Sequence, residues 1–145
     1  MGNSPTKSYE NEIKKEINEN PVVVYTTNGC GYCVKAKKNL YNESIDYVEK
    51  NLTQLQIDDP VKFPEYSSTL MNMTKSRTVP QIFVCGKFIG GCDDLEKLIM
   101  HDGLLDILET CSKETVTNIR KKRKEFSKII LLIIFKIYPI SRAIE

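Results

Sequence analysis

Tryptophan is absent from the 145 residues, and histidine occurs once, at His101. With a lone histidine and only one Cys-x-x-Cys pair, Cys30 and Cys33, the four ligands of a structural zinc site are not in view. Met1 to Asn20 is polar and charged and lacks the apolar core of about 7–15 residues that marks a secretory signal. Five cysteines make an odd number without the paired spacing of an extracellular disulfide framework. A reducing, cytoplasmic setting is therefore expected, where Cys-x-x-Cys more often means metal or redox chemistry than a clip. The apolar segment Ile129 to Ile140 is twelve residues long and interrupted by Lys136, whereas a bilayer span needs roughly 20. No internal repeat is evident.

The chain is long enough to bury one substantial core. Its charge is unevenly placed. Residues 1–112 carry 12 basic and 16 acidic side chains, and residues 113–145 carry 9 basic and 3 acidic. An acidic body with a basic tail hides behind a net charge of +2, so the average says little about partners.

Tyr9, Ile13 and Ile17 recur at helical spacing, and Asn20-Pro21 ends that stripe. Val22 to Thr26 is a β-branched run without polar alternation, as in a strand buried on both faces. The Asn28-Gly29 turn signal and the two cysteines follow, then a helix through Tyr41. Ile45 to Leu52 reads as a second strand, parallel to the first if the helix is its crossover. A helix is expected within Pro60 to Met73. Gln81 to Cys85 and Phe88 to Ile89 form a hairpin around Cys85-Gly86-Lys87. Two helices, Asp93 to Met100 and Leu104 to Cys111, break at Asp102-Gly103. The fold class is α/β: a small mixed sheet flanked by helices over residues 8–112, with a basic and apolar extension, residues 113–145, expected to be poorly ordered.

If a helix begins near Cys30, the two thiols lie one turn apart on one face. Cys30 then meets the unpaired N–H groups and positive end of the helix dipole, where a thiol can titrate at about 3.5–7.5 instead of near 8.5. Cys33, one turn further in, lacks those donors. Cys30 is the candidate nucleophile and Cys33 the resolving thiol. Cys85, Cys92 and Cys111 show no metal-type spacing. Cys85 is expected to pack as a small strand residue and Cys111 to end a helix as a free thiol.

Three separated motifs in order, Cys30-Gly31-Tyr32-Cys33, Arg77-Thr78-Val79-Pro80-Gln81-Ile82-Phe83-Val84 and Ile89-Gly90-Gly91-Cys92-Asp93-Asp94-Leu95, resemble the dithiol glutaredoxins over residues 8–112. A thioredoxin fits less well, since no tryptophan precedes Cys30 and Gly-Tyr stands where Gly-Pro is usual. The resemblance implies a thioredoxin-like fold with a four-stranded sheet, and glutathione as reductant and co-substrate. It implies a cis Val79-Pro80 bond facing the cysteines. It also implies a glutathione groove formed by Thr27, Tyr32, Arg77, Thr78, Val79, Pro80, Gly91, Cys92 and Asp93. Backbone groups at Val79 would pair with the tripeptide as an added strand does. The N–H groups of Cys92 and Asp93 would face its γ-glutamyl end. Many relatives carry lysine at the position of Thr27, so weaker glutathione binding is expected, with Arg77 offering partial replacement. Protein–glutathione mixed disulfides and protein disulfides are the implied substrates.

Gly31 occupies a place where proline is common in the family. Members with small residues there can hold a [2Fe-2S] cluster between two subunits, through the first cysteine (here Cys30) and a bound glutathione from each. The protein is expected to be a monomer, or a dimer if such a cluster forms. No nucleic-acid partner is expected. The basic run Arg120 to Lys124 and the apolar stretch beyond it leave weak membrane-surface contact open, and Met1-Gly2-Asn3-Ser4-Pro5-Thr6 fits the permissive N-myristoylation pattern.

Overall fold

A computed structural model describes residues 5–139. The Gly2 acylation pattern and Ile140 lie outside them. Helix α1 (Pro5–Glu19) leads into β1 (Val22–Thr26), followed by α2 (Gly31–Asn42), β2 (Val48–Asn51), α3 (Leu52–Asp58) and α4 (Phe63–Thr74). Strands β3 (Gln81–Val84) and β4 (Lys87–Gly90) precede α5 (Cys92–Met100), α6 (Gly103–Glu109) and α7 (Lys113–Ile137). The sheet has four strands in the order β2-β1-β3-β4. Strands β1 and β2 are parallel, while β1/β3 and β3/β4 are antiparallel.

Every residue of β1 is buried, because successive side chains enter opposite layers. Val22 and Val24 face Ala36, Leu40, Leu95 and Leu108 of α2, α5 and α6. Val23 and Tyr25 face Ile13, Ile17, Tyr66 and Leu70 of α1 and α4. The second layer also holds a polar knot. The Tyr25 hydroxyl donates to the Glu16 carboxylate at 2.9 Å, Tyr66 donates to the same oxygen, and Lys50 pairs with Glu16 at 3.2 Å. Burial pushes both phenols well above the ordinary tyrosine range, so they remain hydrogen-bond donors at neutral pH.

Four local expectations change. The second strand is shorter than Ile45 to Leu52. Ile45 is buried but its N–H bonds back to Leu40 at the end of α2, and Asn51 stops β2 by capping a new helix. Its side-chain oxygen accepts from the N–H groups of Thr53 and Gln54 at 2.9 and 3.1 Å, so α3 begins where a strand was expected to end. The hairpin turn is Cys85-Gly86 alone, both at positive φ (51° and 75°), which suits the right-handed twist of a two-residue turn.

Cys85 and Cys111, expected as separate thiols, are joined in a disulfide with Cα atoms 5.5 Å apart. The topology lays the end of α6 against this turn, which no spacing in the sequence reveals. Finally, the extension is helical: α7 runs from Lys113 to Ile137, and its Val116 and Ile119 are buried in the α2/α5/α6 layer. The core therefore reaches beyond residue 112.

Candidate functional site

Cys30 is the N-cap of α2. The turn before it needs Gly29 at φ 69°, a conformation glycine adopts without cost. The Cys30 sulfur accepts the Cys33 N–H at 3.1 Å, the helix-terminal donor that favours an anion there. Cys33 is buried at 2% exposure, while Cys30 is half-buried and its neighbour Tyr32 exposed. The two cysteines form a disulfide with Cα atoms 5.2 Å apart. One sulfur is thus reachable and the other is screened.

The Val79-Pro80 peptide is cis, and the carbonyl oxygen of Val79 lies 3.7 Å from the Cys30 sulfur. Beside it opens a cleft of about 510 Å³, a size suited to a small ligand. Its walls are Thr74 to Ser76 and Thr78 to Pro80 on one side, Phe88 and Gly90 to Asp94 on the other, and Tyr32 at the cysteine end. Seven of the groove residues named from sequence therefore meet here: Tyr32, Thr78, Val79, Pro80, Gly91, Cys92 and Asp93. Thr27 and Arg77 do not line it.

The Glutaredoxin family profile matches residues 22–89. Human "Glutaredoxin-2, mitochondrial" is 34% identical over 116 residues, covering 80% of this chain and 65% of the human one. The mouse protein of the same name is 33% identical over 132 residues, covering 86% of this chain and 78% of its own. The chain belongs to the glutaredoxin family. A solved buckwheat glutaredoxin–glutathione complex superposes with a TM-score of 0.64 at 30% identity, covering 74% of this chain and 93% of that one. The present glutaredoxin thus spans about two thirds of the human relative's length, 65%.

Within this glutaredoxin's cleft, the two aspartates at the start of α5 divide their work. Asp94 accepts the N–H of Gly91 at 3.0 Å and so caps the helix. Asp93, exposed beside it, lines the cleft. Cys92, the first residue of α5, is buried at 4% exposure. Burial pushes its thiol above the ordinary range, and the Glu96 carboxylate adds to the effect. Its sulfur is therefore enclosed in the cleft wall and held as the thiol.

Sequence reading missed Lys75. It ends α4 in the left-handed conformation at φ 58°, and among the described residues it is the only lysine or arginine in the cleft wall. A lysine at a position suited to glycine, immediately after an apolar-periodic helix, was the available signal. Gln81, fully buried, holds this wall in place by donating from Nε2 to the Ser76 carbonyl at 2.8 Å. The loop before Cys30 is held from below by α3: Asn28 accepts from Asn51 at 2.8 Å and donates its backbone N–H to Thr53 at 3.0 Å.

Proposed function

We propose that this glutaredoxin is a glutathione-dependent thiol–disulfide oxidoreductase acting on protein–glutathione mixed disulfides and on protein disulfides. The observation that carries the reading is the half-buried Cys30 sulfur. It is held by a helix N-terminal N–H at 3.1 Å and lies 3.7 Å from a backbone carbonyl that borders a peptide-sized cleft.

The Cys30 thiolate attacks the glutathione sulfur of a mixed disulfide. The substrate S–S bond breaks, a Cys30–glutathione S–S bond forms, and the protein leaves as a thiolate that takes a proton from solvent. A second glutathione thiolate attacks the bound glutathione sulfur, releasing oxidised glutathione and restoring Cys30. With a protein disulfide, Cys30 first joins one substrate sulfur. Cys33 then attacks Cys30, freeing the reduced substrate and closing the Cys30–Cys33 bond, which two glutathione molecules reopen. In this reading the tripeptide lies along Val79 with its γ-glutamyl end toward Cys92 and Asp93; that glutathione is the ligand is supported by the buckwheat glutaredoxin, which was solved as a complex with it.

The test is an assay with glutathione and glutathione reductase, run in parallel on a glutathionylated peptide and on a protein disulfide. Cys30→Ser abolishes turnover with both substrate types, and Cys33→Ser retains turnover with the mixed disulfide. The opposite pattern overturns the assignment. The cytoplasm is the proposed compartment, since a reducing pool must keep Cys30 and Cys33 cycling. Fractionation that recovers the protein elsewhere would count against it.

A second reading has one observation behind it. Nothing lies within 4 Å of where a Cβ on Gly31 would sit, leaving open space beside Cys30. Each chain offers one accessible sulfur there, so a [2Fe-2S] cluster would require two chains and two glutathione thiols. Anaerobic reconstitution with glutathione tests it: a coloured dimer supports the reading, and a colourless monomer rejects it.

A further inference from the structure

We propose that the distal half of α7 seats the protein on an anionic membrane surface, with its apolar tip entering the headgroup–acyl boundary of one leaflet. The proximal half of the helix is fastened to the body. Val116 and Ile119 are buried, Arg120 pairs with Glu109 at 3.5 Å, and Arg123 pairs with Glu43. From residue 124 to residue 139 every position is exposed. Seven consecutive apolar residues, Ile129 to Phe135, lie in that stretch, with exposures between 40% and 64%.

Seven residues at about 100° each pass completely around a helix. A second protein chain, packing along one stripe, would leave the remaining side chains in water. A lipid phase surrounds the helix and covers them all. The apolar collar is only about 10 Å long, less than the roughly 15 Å of one hydrocarbon leaflet. No described helix is long and apolar enough to cross a membrane, so shallow entry is the geometry that fits.

Charge identifies the lipid. Lys121, Lys122, Lys124 and Lys128 form no ion pair among the described residues, and they stand between the body and the collar. Their number and place match a juxtamembrane basic segment attracted to anionic headgroups. Lys136 and Tyr138 flank the collar on its far side, where a long basic stem and a phenol can reach back to the headgroups. The redox cleft is lined by the end of α4, the Thr78–Pro80 segment before β3, β4, the start of α5 and Tyr32 of α2, and no residue of α7 belongs to that lining.

The absence of tryptophan makes the test clean. Full-length protein carrying Phe135→Trp reports insertion through a single fluorophore. With phosphatidylcholine vesicles containing about one third phosphatidylserine, its emission should shift to the blue and be quenched by brominated acyl chains. Co-sedimentation should be at least about tenfold stronger than with phosphatidylcholine alone and should weaken as salt rises. Ile130→Asp with Ile134→Asp should abolish it, and Lys121→Glu with Lys124→Glu should remove the preference for phosphatidylserine. All variants should keep the parent unfolding temperature, because the altered positions are exposed. No binding to phosphatidylserine vesicles, or undiminished binding by the Ile130/Ile134 double variant, overturns the proposal. So does a lipid-free dimer in analytical ultracentrifugation that dissociates in that double variant, since it would assign the collar to a second copy.

Discussion

At Cys30, Lys75 and Cys92 the chemistry follows from what surrounds each side chain. Cys30 receives an N–H and borders open space, whereas Cys92, directly after the Gly90-Gly91 bend, is enclosed and held protonated. After full reduction, brief alkylation at neutral pH should therefore label Cys30 well before Cys92, with peptide mass spectrometry as the readout. Faster labelling of Cys92 would contradict its burial. Lys75 supplies the cleft's side-chain positive charge opposite Asp93 and Asp94. An exposed charge–carboxylate contact contributes up to about 1 kcal/mol, so Lys75→Ala should raise KM for a glutathionylated peptide by about fivefold with little change in kcat. Lys75→Arg should restore most of it. Arg77→Ala should be nearly silent, because Arg77 stands outside the cleft wall. A KM unmoved in Lys75→Ala but raised in Arg77→Ala would reverse the two roles.

Between elements, short polar links set the position of Cys30. Asn51 both caps α3 and donates to Asn28, two residues before Cys30. Asn51→Ala should cost about 1 kcal/mol in a urea titration, as loss of a cap does, and should also reduce kcat/KM. A stability loss with full activity would mean that α3 does not position the Cys30 loop. Helices α2 and α5 are joined by Lys35 and Glu96 at 2.8 Å. Hydrogen bonding from Lys35 holds the Glu96 carboxyl below its ordinary range. The depressed value means the bridge contributes at neutral pH and is lost as pH falls through that lowered value. Melting curves of the parent and of Glu96→Gln should therefore differ slightly at pH 7 and converge in acid.

Across the whole molecule, the Cys85–Cys111 bond closes a loop with a sequence separation of 26, joining the β3–β4 turn to the segment that leads into α7. On chain entropy alone such a closure contributes about 3.5 kcal/mol. Cys111→Ser should lower the denaturation midpoint accordingly, and added reductant should destabilise the parent but leave this variant's core unchanged. Equal midpoints with and without the bond would show that packing of Val116 and Ile119 already holds the end of α6.

Periodicity and punctuation alone revealed β1, the α2 start at Cys30, the hairpin and the break at Asp102, because those signals are local: β-branched runs, an Asn-Gly turn and helical spacing. The Cys30–Cys33 pair, the Thr78-Val79-Pro80 bend and the Gly91-Cys92-Asp93 corner were also readable as motifs. Which residues face one another depended on the folded chain. Lys75 enters the cleft and Arg77 does not because α4 ends in a left-handed turn. Cys85 finds Cys111 because α6 returns across the β3–β4 turn, and α7 is fastened because Val116 and Ile119 meet a layer built from other segments. Contacts between distant segments have no period in the sequence, so only the tertiary structure could decide them.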